Sequence, residues 1–66
     1  MNDKDIFAVL QLLRDLLSQI RFYTANIPKK ILPNNVWDRM RKDFSEIDFI
    51  ISEAQGRVII VEKKRE

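Results

Sequence analysis

The sequence predicts an α+β fold, mostly helical: a two-helix antiparallel hairpin followed by a short C-terminal β-strand, dimerising into a four-helix arrangement with a two-stranded intermolecular sheet. Three observations carry this expectation. Two long segments repeat apolar side chains at spacings of three and four, a connector bounded by Pro28 and Pro33 separates them, and the closing GRVIIVEKKRE holds an unbroken β-branched run, Val58-Ile59-Ile60-Val61.

A first helix, over about 3–25, opens at Asn2-Asp3-Lys4-Asp5. There an amide suited to capping precedes a carboxylate by three residues, a capping box with Asp in place of Glu. Ile6, Val9, Leu13, Leu16, Ile20 and Tyr23 follow at helical spacing and read as the seam of the hairpin. Leu10, Leu12 and Leu17 widen that seam beyond what one partner helix covers, which marks them for self-association.

The connector, 26–34, follows from its ends. Asn26 tolerates the left-handed conformation of a helix cap, and Pro28 pushes Ile27 out of the α region, so the first helix stops near Ala25. Proline at both ends stiffens the six residues Pro28 to Pro33, which read as extended in the middle. Asn34 or Asn35 would then cap a second helix over about 35–55, whose apolar arc is Val36, Trp37, Met40, Phe44, Ile47, Ile50, Ile51 and Ala54. Asp43 falls inside the arc and Phe49 on its polar side, while Gly56 stands where a left-handed C-cap belongs.

The strand occupies about 57–62 and the fraying tail 63–66. A lone strand leaves backbone donors and acceptors unpaired, so Val58, Ile59, Ile60 and Val61 are expected to pair antiparallel with the same residues of a second chain across a two-fold axis. The alternative fold is a long helix, a shorter helix and a C-terminal β-hairpin, with residues 48–52 and 57–62 as strands around a 53–56 turn. It gives Phe49 a role, but Glu53, Ala54 and Gln55 are better helix formers than turn residues.

Sixty-six residues form a single domain, 1–66, of marginal stability. With neither Cys nor His there is no disulfide, thiolate nucleophile, imidazole base or standard zinc set, and oligomerisation is the stabilising device left. No catalytic, cofactor-binding or metal-binding residues are therefore assigned, and the chain is expected not to be an enzyme. Ser18, Ser45 and Ser52 have no base to activate them, one Gly cannot build a phosphate-cradling loop, and the carboxylates form no acid–base constellation. The stretch Ile6 to Ile20 is too interrupted by polar residues to span a bilayer or serve as a signal-peptide core, and the lack of Cys suits a reducing, cytoplasmic setting.

Charge is close to balanced, +2 overall. Asp38 with Lys42, Arg39 with Asp43 and Lys42 with Glu46 alternate in sign four apart, the pattern of a solvated helix face. Trp37 and Met40 are candidate partner hot-spot residues, against the simpler reading of Trp37 as core closing over the connector. Lys29, Lys30, Arg57, Lys63, Lys64 and Arg65 are candidate phosphate contacts if the fold gathers them at one end. The function expected is that of a small regulatory or assembly protein acting by protein–protein binding as a homodimer, its partners being itself and an unidentified protein. The alternative is a small nucleic-acid-binding transcriptional regulator using the basic connector and the C-terminal strand or wing. A helix-turn-helix lacks room for its first short helix.

Overall fold

The computed structural model describes residues 1–65 of the chain; Glu66 lies outside the described residues. It contains two α-helices, α1 (Asp3–Ala25) and α2 (Asn34–Arg65), joined by a loop with one 3₁₀ turn, Lys29–Ile31. Both helix starts are local. Asn2 is extended and its side chain accepts from the Asp5 N–H at 2.9 Å, satisfying one donor that the first turn cannot. At α2 the N–H groups of Val36 and Trp37 donate to Pro33 O at 3.0 and 3.2 Å, so the proline carbonyl opens the ladder in place of an asparagine side-chain cap.

The turn corrects two expectations. Asn26 is right-handed, at φ −87° and ψ −6°, and it ends α1 through its side chain, whose Nδ2 donates to Phe22 O at 3.0 Å. The connector is a 3₁₀ turn in its middle, closed by Ile31 N–H donating to Pro28 O at 3.0 Å. Proline fixes the φ of its first residue, and Trp37 Nε1–H donates to Lys29 O at 2.9 Å, tying the turn to the first coils of α2.

The larger correction is at the C-terminus. Among the described residues there is no strand, so neither the intermolecular sheet nor the alternative β-hairpin exists; α2 runs through Gly56 and the whole β-branched run to Arg65. Gly56 has no positive φ, and a Cβ built on it meets nothing within 4 Å. It is a weak helical position rather than a cap. Helix disfavours β-branched residues by only some tenths of a kcal/mol each. A strand without a partner leaves every backbone donor and acceptor unsatisfied, whereas continuing the helix closes those bonds inside the chain. Lys63 and Lys64 in the last turn also oppose the negative end of the helix dipole.

The helices pack antiparallel: Phe7 and Gln11 of α1 meet Gln55, Arg14 meets Asp48, and Arg21 lies over Phe44. The result is a rod of 53 × 16 × 13 Å, with a radius of gyration of 15.6 Å against about 11 Å for a compact chain of this length. Its core is thin. Leu17 and Ile51, each 7% exposed, are the buried apolar residues among those described, and Gln55, 4% exposed, is buried with them.

Candidate functional site

The sequence offers α1 two apolar stripes, and the hairpin buries the less apolar one. Its seam follows Phe7, Leu10, Arg14 and Leu17 on α1 and Phe44, Asp48, Ile51, Gln55 and Val58 on α2, alternating steps of three and four along each helix. The polar members of the seam are paired. Gln55 Oε1 accepts from Arg14 Nη1 at 3.0 Å, and its Nε2 donates to Gln11 Oε1 at 3.1 Å and to Phe7 O at 3.4 Å. Arg14 Nε lies 3.4 Å from Asp48 Oδ1, and Gln11 Nε2 donates to Asp15 Oδ1 at 3.1 Å. No buried side-chain nitrogen or oxygen among the described residues is left without a partner, so this network fixes register at no cost in orphaned groups.

The purely apolar stripe lies in solvent. Val9, Leu13, Leu16 and Ile20 of α1 and Ile47, Ile50 and Val61 of α2 are each between 43 and 58% exposed. Residues advance by about 100° along a helix, which sets these side chains roughly a quarter-turn from the seam, in the same rotational sense on both helices. In an antiparallel pair the same sense means the same side. The two stripes therefore form one face, extended by half-buried Ile6 and Met40, with Asp43 its charged interruption. The opposite face carries Gln11, Asp15, Ser18, Ser45 and Ser52, with Phe22, Phe49 and Ile59 as scattered apolar residues.

The candidate residues separate accordingly. Leu10 and Leu17 point at the chain's own α2, and Leu12, 61% exposed, points away from the seam on the outer side of α1. Because they are helical, Val58, Ile59, Ile60 and Val61 point in four directions: toward the seam, to the polar side, outward, and onto the apolar face. Trp37 and Met40 are half-buried and border a half-open cleft of about 520 Å³ at the turn end, together with Arg21, Ile27 and Phe44. Arg21 stands 5.9 Å from the Phe44 ring centre, a cation–π distance.

The basic candidates are not gathered in one place. Lys29 and Lys30 sit at the turn, while Arg57, Lys63 and Lys64 sit toward the other end of the rod; Arg65 closes α2, and its side chain lies outside the described residues. At the turn, Lys29 and Lys30 are joined by Arg21 and by the cations of the first coils of α2, among them Arg39 and Lys42 of the alternating-charge pattern. Arg21, Lys29, Lys30, Arg39, Arg41 and Lys42 outnumber Asp38 between residues 21 and 42, a net +5; Asp43 follows one turn beyond Arg39, and the rest of the chain, Asp43 included, carries −3. All six are exposed, and Asp38 is paired with Arg41.

Among the described residues no helix is long and apolar enough to cross a membrane, and no three carboxylates are grouped to hold a metal ion. No protein-family model, no curated protein and no solved structure matches this chain.

Proposed function

We propose that this chain is a small non-enzymatic protein that works by binding protein, as a regulatory or assembly subunit, and that it self-associates through the apolar face. The uncovered stripe Val9, Leu13, Leu16 and Ile20, continued by Ile47, Ile50 and Val61, carries the reading. Contiguous apolar surface of this extent marks interaction sites. Two buried apolar residues are too little core to hold 66 residues unaided. The absence of His and Cys supports the non-enzymatic part, and the absence of Cys a reducing, cytoplasmic setting.

The cluster of cations at the turn favours a second reading, nucleic-acid binding through that end of the rod. Filter binding of random-sequence duplex DNA and of RNA at low and high salt separates the two. Protein binding as the main role predicts weak retention at both. Tight retention whose affinity falls steeply with salt would replace the first reading with the second.

A further inference from the structure

We propose that the cleft at the turn end of the rod binds a small aromatic carboxylate, its anionic group toward Arg21 and Arg41 and its ring against Trp37, Met40 and Phe44. This goes beyond the protein binding just proposed and does not depend on what covers the apolar face. The place follows from the register of the seam. Phe7 stands with Gln55 and Arg14 with Asp48, and one further step of seven along each helix brings Arg21 opposite Arg41. The pair of opposite charges at Arg14 and Asp48 is thus followed by a pair of like charges. Among the described residues Asp38 pairs with Arg41, while the guanidinium of Arg21 lies over the Phe44 ring and meets no carboxylate.

The same stretch of seam is where the cleft opens. Thr24, next along α1, is too short to fill the space toward Trp37, Met40 and Phe44, and about 520 Å³ is left there, half-open to water. Ligand clefts run from about 300 to 1,000 Å³ and are mostly apolar, with a few polar groups that fix orientation. Arg21, Lys29 and Arg41 against Asp38 give the lining a net +2, so the polar group that fits is an anion. A planar carboxylate matches the guanidinium fork with two parallel hydrogen bonds. Two ring systems and a thioether among the lining residues suit an aromatic body. The Trp37 ring is held by its Nε1–H bond to Lys29 O, so one wall is ordered before a ligand arrives.

Trp37 is the one tryptophan of the chain, so its indole N–H resonance reports on the cleft. Titrating the nitrogen-15-labelled full chain with 2-naphthoate should move that signal saturably, and the isosteric, uncharged 2-naphthamide should bind at least about tenfold more weakly. Arg21→Gln should weaken naphthoate by about tenfold and leave naphthamide unchanged. Thr24→Leu fills the cleft without altering charge, and the hydroxyl it removes bonds only Ile20 O of its own helix; it should abolish both responses at unchanged helicity. An indole signal unmoved by millimolar naphthoate, equal affinity for the two probes, naphthoate binding unchanged in Arg21→Gln, or binding that survives Thr24→Leu would overturn the proposal.

Discussion

The two stripes of α1 are the instructive pair. One, Phe7-Leu10-Arg14-Leu17, contains a guanidinium and is packed against α2; the other, Val9-Leu13-Leu16-Ile20, contains no polar atom and is left in water. Apolar content alone would bury the second. The first has partners for its polar residues across the seam, where Arg14 meets Asp48 and Gln55. Burying it leaves the purer stripe exposed, and the proposed self-association rests on that stripe.

Truncation in the seam should have the largest effect. Leu17→Ala removes half of the buried apolar core and is expected to cost about 2–5 kcal/mol, read as lost helicity and a lower midpoint in urea, because the hairpin itself fails. Gln55→Ala comes next. Gln11 and Arg14 lose their shared partner, and about 1–3 kcal/mol should go, with loosened register visible as faster amide exchange near residues 48–58. The smallest effect has the opposite sign. Gly56→Ala should stabilise by about 0.5–1 kcal/mol, since the position is helical and open. A left-handed cap at Gly56 would make the same change destabilising, so thermal melting of this one variant decides whether α2 continues.

Parts of this architecture are written locally and can be read from the sequence. The Asn2 cap, the stop near Ala25 and the proline-bounded turn each depend on residues within four positions of one another. The C-terminal run could not be read that way. Four β-branched residues in a row carry the same local pattern as a buried strand, and what keeps them helical is the completion of backbone bonds together with Val58 falling into the seam. The choice of stripe was hidden for a related reason. Periodicity along one helix says which residues share a face, but not which face meets a partner whose pairing group, Gln55, is 41 residues away from Arg14. The exposed face was legible only as a surplus of leucines, and Leu10, Leu12 and Leu17 were assigned to it when Leu13 and Leu16 form it. Of the basic turn, Lys29 and Lys30 were legible and their company was not, because Arg21 and Lys29 come beside Arg41 only when the chain folds back.

Asp43, alone among the carboxylates in lying within the apolar stripe of α2, gives the account a gain as well as a loss. Asp43→Leu should strengthen self-association, since a charge taken from water without a dedicated partner opposes burial. Lower dissociation of the variant on dilution, followed by size-exclusion chromatography with light scattering, checks it.

The central claim is that one face, and not apolar surface in general, holds the second chain. Ile59 and Ile47 test it directly: they are the same residue type on the same helix, both 43% exposed, and lie on opposite faces. Sedimentation equilibrium of the parent, Ile59→Lys and Ile47→Lys should give dimer, dimer and monomer. Ile47→Lys places a lysine on each copy of the face and forfeits about 1.5–3 kcal/mol of burial per chain, a weakening of at least roughly a hundredfold. A parent that stays monomeric at high micromolar concentration, or an Ile59→Lys chain that dissociates as readily as Ile47→Lys, would contradict the account.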